Sequence, residues 1–191
     1  MAAYREALRR DPLMVVTWLA LGRNALVLGQ TATALDAFQR AAALRPEDPR
    51  VLDELGWLYY NLGRLEEAEQ TLRRARERDP DDWRILYHLG VTLYARRKYE
   101  EVVDTNHLPR GIVRLQAVLR AEGKTCAPET LPTEPRCARL VEMAYLLGLS
   151  HYYLGDCTAA RPWLEQALAI SPQEENALRG LRWCEGQSPT P

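Results

Sequence analysis

Three histidines, four cysteines and a set of tyrosines and tryptophans are the residues of this chain whose types could do chemistry. His88, His107 and His151 stand far apart in sequence, with no H-E-x-x-H pair to hold a catalytic zinc. There is no G-x-S-x-G elbow for a serine nucleophile and no glycine loop to cradle phosphate. Cys126, Cys137, Cys157 and Cys184 include no C-x2-C pair, so a structural zinc site is not expected. An active site needs convergent polar groups, and none has diagnostic spacing here. The expectation is therefore no catalytic residue, no metal and no cofactor, which leaves the aromatic residues and the chemistry of binding.

The global numbers narrow what could be bound. The 191 residues carry a formal net charge of -1, so no basic excess is available to neutralise nucleic-acid phosphates. No apolar run approaches the roughly 20 residues of a membrane span, and the opening MAAYREALRR contains no signal-peptide core. Arginine replaces lysine almost everywhere, Lys98 and Lys124 being the exceptions.

The elements that would position these residues repeat. Between Val15 and Asp48, Trp18, Leu21, Ala25 and Leu28 recur every three or four residues, the stripe of one helix face. Gly22 leaves room for a second helix to approach, and Gly29 stands where a helix commonly ends in a left-handed residue. Ala34, Phe38 and Ala41 mark one face of a second helix, and Pro46 cannot continue it. The offsets W-x2-L-G, A-x3-F-x2-A and Pro resemble the tetratricopeptide repeat (TPR), a helix-turn-helix unit of about 34 residues. The resemblance implies an all-α fold, a right-handed α-solenoid of antiparallel helix pairs. One hairpin cannot bury both its faces, so stability comes from stacked neighbours.

Taken in order, residues 3–12 match only the second helix of a repeat, with Tyr4, Ala7 and Pro12 in place, as expected of a piece cut from a longer chain. Residues 15–48 and 49–82 are full repeats, the latter with Leu52, Leu55, Gly56, Tyr59, Gly63, Ala68, Leu72, Ala75 and Pro80 in register. The third repeat, 83–140, opens at Trp83 and loses the pattern near Asn106 and Pro109. Register returns at Leu147-Gly148, about 24 residues late. Residues 103–140 therefore read as an insertion carrying a further helix, with Ile112, Val113, Leu115, Gln116, Val118 and Leu119 as its apolar stripe. A fourth repeat spans 141–174, and Ser171 to Glu174 reads as a capping box for a terminal helix over 172–185. A tail, 186–191, follows.

The resemblance further implies that the first helix of each pair lines a concave groove. At the groove places stand Arg23, Arg50, Asp53, Glu54, Trp57, Tyr60 and Asn61, then Arg84, Tyr87, His88 and Tyr94. The fourth repeat adds Glu142, Tyr145, Leu149, Tyr152 and Tyr153, and the terminal helix adds Arg179 and Trp183. Aromatics flanked by charges are the mixture enriched at interface hot spots. The carboxylate clamp of chaperone-binding members is not carried over: Leu19, Arg23, Glu54, Arg84 and His88 occupy its places, and Glu54 would repel a carboxylate. The implied function is a non-catalytic scaffold that binds a protein or peptide. An accessory domain of a larger enzyme or membrane-bound transferase, and a carbohydrate platform, are the competing classes.

The cysteines bear on compartment. At the corresponding repeat places, Cys157 lies in the first turn of a second helix and Cys184 near the end of the helix that follows antiparallel, so a bridge between them is geometrically reasonable. Cys126 and Cys137 bracket a proline-rich loop. Two disulfides point to an oxidising, extracytoplasmic compartment. The alternative is four thiols, with Cys157 and Cys184 as small core residues.

Overall fold

Asp48 and Asp82 start helices for the same physical reason. Each carboxylate accepts a hydrogen bond from the backbone N–H two residues on, Arg50 at 2.9 Å and Arg84 at 2.8 Å. That bond satisfies a donor the first turn leaves without an intrahelical partner. The computed structural model describes residues 1–11, 13–104 and 107–186; Pro12, Thr105, Asn106 and residues 187–191 lie outside them. The elements it contains are all helices: α1 (Ala2–Arg10), α2 (Val15–Val27), α3 (Thr31–Leu44), α4 (Pro49–Asn61), α5 (Leu65–Arg78), α6 (Trp83–Ala95), α7 (Tyr99–Val103), α8 (Leu108–Ala121), α9 (Pro135–Tyr153), α10 (Cys157–Ile170) and α11 (Glu175–Cys184). The fold is an α-solenoid of the tetratricopeptide type, and its helices gather into two compact units, Met1–Pro80 and Asp81–Pro191.

In the first unit α2 pairs with α3 and α4 with α5, while α1 packs on α2 and α3 on α4. In the second, α9 pairs with α10, α11 closes on both, and α6 packs against α7, α8 and α9. One contact recurs in every pair. A Cβ added to Gly22 would lie 2.4 Å from Phe38, and one on Gly56 2.6 Å from Leu72. At Gly148 it would lie 2.6 Å from Leu164. In these three pairs the large residue follows its glycine by sixteen positions and is fully buried, with buried alanines on either side of it.

The third pair keeps the contact by a different route. α7 stops after Val103, and α8 begins with Leu108, which is fully buried and would sit 2.1 Å from a Cβ on Gly90. Leu108 thus takes the place of Phe38, Leu72 and Leu164, two positions late, and Gly111 stands where the others have Ala41, Ala75 and Ala167. The second helix of this pair is thus in two pieces, α7 ending at Val103 and α8 continuing it from Leu108. Ile112, Leu115 and Leu119 are buried with it, whereas Val113 is 62% exposed and belongs to the outer face. The extra length falls beyond α8, in the 122–134 loop and in the extended start of α9.

The start of the last helix also differs from the capping-box expectation. Ser171 ends α10, its N–H donating to the Ala167 carbonyl at 2.8 Å, and Glu174 caps α11 instead, accepting from Asn176 N–H at 3.3 Å.

Two covalent ties and an ion cluster fix what the pairing leaves loose. Cys157–Cys184 joins the start of α10 to the end of α11, and Cys126–Cys137 joins the long loop to the first turn of α9, each with Cα atoms 5.4 Å apart. Closing loops of these lengths is worth on the order of 3 kcal/mol each by chain entropy. Around the second tie, Arg136 bonds Glu122 at 2.6 Å and Glu134 at 2.7 Å, and Lys124 bonds Glu134 at 2.7 Å. These hydrogen bonds hold both carboxyls below their ordinary range, Glu122 at about 2.

Two outcomes follow from this packing. Leu108→Ala should destabilise the second unit by about 2–5 kcal/mol in urea titration, the cost of emptying a leucine site in a packed core; a loss near zero would show that α8 does not carry the pair. The Glu122 and Glu134 carboxyls are depressed on folding, so their contribution is full above the ordinary carboxylate pKa and fades as pH falls from about 4.5 toward 2. Amide protection of the 122–134 loop should accordingly drop across that window in the native protein and much less in Arg136→Gln. Equal pH dependence in both would contradict the linkage.

Candidate binding site

The first unit brings together part of the expected groove. On α2 and α4, Arg23 Nε donates to Glu54 Oε1 at 2.7 Å, so the acid that would repel a carboxylate ligand is spent on its neighbour. Trp57 and Tyr60 stack one turn apart on α4, ring centroids 4.8 Å apart and planes within 9°. Asn61 caps this face by donating to the Trp57 carbonyl at 3.0 Å, and Arg50 is exposed at the start of the helix. Asp53 is buried and presents no surface.

The second unit holds the larger constellation, in two parts. Near the start of α6 and in the extended first half of α9, the Tyr87 hydroxyl donates to Glu142 Oε2 at 2.6 Å and accepts from Arg139 Nη1 at 2.9 Å. The Arg139 guanidinium also lies 5.1 Å over the Tyr87 ring. Tyr87 is only 2% exposed, and burial together with the Glu142 hydrogen bond pushes its phenol well above the usual range. The sequence places Tyr87 as a groove contact; in the structure it joins α6 to α9 instead, because Glu142 and Arg139 arrive on the extended helix to enclose it. Leu149 is likewise buried. His88, half-buried, has its ring 5.2 Å from that of Tyr87, and exposed Arg84 pairs with Asp82 at 3.3 Å.

At the other end of these helices the rings form a ladder. Tyr94 at the end of α6 meets Tyr99 at the start of α7 (5.6 Å), and Tyr99 stacks on Tyr153 at the end of α9 (4.6 Å, 18°). Tyr153 meets Tyr152 (5.5 Å), which stacks on Trp183 of α11 (5.2 Å, 30°), and Arg179 lies 6.0 Å over the Trp183 ring. Four helices thus contribute to one continuous aromatic surface. Tyr153, the most open of its rings, is 46% exposed. Burial among the rings raises the Tyr94 phenol far above its ordinary pKa. Tyr145 is half-buried on α9, two turns before Tyr152. His151 is half-buried, and loss of water holds its imidazole below the usual histidine range.

Two members of the ladder's surroundings escape the groove pattern. Tyr99 is the first residue of a second helix, a place the pattern assigns away from the groove. Arg97 stands 34 positions after Gly63 and 68 after Gly29, where those repeats have a glycine, and it keeps the same left-handed backbone with φ 58°. The signal that finds it in sequence is that single exception to a glycine period. Among the described residues no group of histidine, cysteine and carboxylates is arranged to hold a metal, and no helix is long and apolar enough to cross a membrane.

Comparison with known proteins agrees with the geometry. Residues 143–171 match the tetratricopeptide repeat. Among solved structures, the chain superposes on YrrB, described as a TPR protein with an unusual peptide-binding site, with TM-score 0.65 and 20% identity over 95% of this chain and 81% of that one. MamA gives TM-score 0.69 and 18% identity over 91% and 83%. PilF of Pseudomonas aeruginosa gives 0.61 and 19% over 93% and 70%. At these identities the likeness is one of fold. No curated protein matches the chain at a significant level. Residues 1–107, more than half of the chain, match the TPR domain of cytochrome c-type biogenesis protein H, and the chain belongs to that family.

Proposed function

We propose that this domain is a non-catalytic interaction module whose partner-binding surface is the aromatic ladder of the second unit. The observation that carries the reading is the unbroken run of rings from Tyr94 through Tyr99, Tyr153 and Tyr152 to Trp183, supplied by four helices and open to solvent at Tyr153. Tyrosine and tryptophan offer large contact areas at small entropic cost and dominate interface energetics. Trp57 and Tyr60 supply a smaller aromatic platform in the first unit. The partner is a polypeptide; the family's description ties its members to cytochrome c-type biogenesis, so a polypeptide handled in that process is the first to test. The two disulfides support an extracytoplasmic site of action, because such bonds persist in oxidising compartments.

Tyr153→Ala combined with Trp183→Ala should weaken a captured partner by several kcal/mol if both are hot spots. The Cys157–Cys184 tie holds α11 in place, so circular dichroism of the double variant should match the parent. Undiminished affinity in the folded variant would overturn the assignment. The compartment has its own check: alkylation of freshly isolated native protein without reductant should label no cysteine, and four labelled thiols on intact-mass measurement would end the extracytoplasmic reading.

A further inference from the structure

The reading above leaves the chemistry of the partner open, and Arg97 narrows it. The corresponding turns of the other three pairs are closed by Gly29, Gly63 and Gly155, with φ of 69°, 72° and 82°. A glycine adopts that conformation without steric cost, whereas a residue with a Cβ is disfavoured there. Arg97 is the only non-glycine with positive φ among the described residues. Unfavourable backbone at one repeat, with the favourable residue present in the others, is the pattern of a side chain kept for what it contacts. Arg97 lies two residues before Tyr99, toward one end of the ladder, and its charge acts on the Tyr99 phenol. Arg179 occupies the other end, over Trp183.

Neither arginine is neutralised. Both are exposed, and among the described residues neither is salt-bridged to a carboxylate. That separates them from Arg23, Arg136 and Arg139, each tied to a glutamate. Of the acids on α7, Glu101 pairs with Lys98 at 3.3 Å, and Glu100 is the remaining one. An aromatic floor between two uncommitted guanidinium groups is complementary to apolar or ring-bearing side chains flanked by carboxylates. Guanidinium forks bind carboxylates bidentately, and the rings take any flat apolar group.

We infer that the ladder selects an acidic peptide segment, one that lays an aromatic or proline side chain on Tyr153 and Tyr152 and places carboxylates against Arg97 and Arg179. The inference rests on the ladder being the binding surface and goes beyond it in naming the charge of the partner and the residues that read it.

The test uses the intact 191-residue chain and two synthetic twelve-residue peptides, one alternating aspartate with tyrosine and proline, the other identical with lysine for each aspartate. Fluorescence anisotropy should show the acidic peptide binding at least tenfold tighter, with the gap closing as salt rises. Arg97→Gly and Arg179→Gln should each weaken it about fivefold, the scale of a partly exposed ion pair. Arg97→Gly should also raise the thermal midpoint, since it relieves the backbone; an arginine with no part in binding would give the higher midpoint with peptide affinity unchanged. If Tyr153→Ala abolishes binding while peptide charge and both arginine variants have no effect, the inference is overturned and the ladder reading stands. If neither the arginine variants nor Tyr153→Ala changes binding, both fail. Preference for the lysine peptide, or for a neutral glycan over either peptide, also overturns it.

Discussion

The contact between a glycine on the first helix of a pair and a large side chain on the second is the constraint on which the rest depends. Without a Cβ at Gly22, Gly56, Gly90 and Gly148, the axes can close until Phe38, Leu72, Leu108 or Leu164 rests on the facing backbone. Tyr94, Tyr152 and Tyr153, rings of the proposed binding surface, stand at the ends of first helices held at that distance. Overpacking at such a point forces side chains off their rotamers or the helices apart, so a glycine there is needed for geometry more than for flexibility. Gly180 repeats the device on α11: a Cβ there would meet Leu149 at 2.9 Å and Leu164 at 3.0 Å. The last helix is thereby held closely enough for Trp183 to stack on Tyr152.

The third pair shows what happens when the rule is kept but the chain is not regular. With its second helix in two pieces, α7 is little more than one turn and the packing restarts with Leu108 in α8. α7 packs on α9 as well as α6, the same step that α3 makes to α4, and Tyr99 stacks on Tyr153 there. In the same unit, the lengthened start of α9 supplies Arg139 and Glu142, which enclose Tyr87. One irregularity thus accompanies both a rigid polar link at one end of α6 and an open aromatic surface at the other. The first joins the helices; the second is the surface proposed to meet a partner.

Much of this was legible from the residues, and the parts that were not have physical causes. The helix pairs follow from periodicity and from the glycine, alanine and proline places, because those residues act locally. The repeat pattern puts Tyr94, Tyr152, Tyr153 and Trp183 at groove places, and their rings lie against one another. Tyr87, Asp53 and Leu149 were placed there too but are buried, since whether a groove position stays open depends on what the next helix carries. In sequence α8 looks like an added helix because Leu108 is displaced by two residues from the place of Phe38, and only its contact with Gly90 shows the equivalence. Tyr99 lies outside any groove rule because it stands on a second helix, and it reaches the ladder through the packing of α7 on α9.

The central claim, that the ladder rather than another face meets the partner, is tested most directly by site-specific photo-crosslinking. A photoreactive phenylalanine analogue would replace Tyr153 on the ladder or Val113, the 62% exposed residue on the outer face of α8. With the partner present, position 153 should yield a covalent adduct whose peptide map ends on one short segment of the partner, while position 113 yields none. Adducts at position 113 with none at 153 would contradict the account.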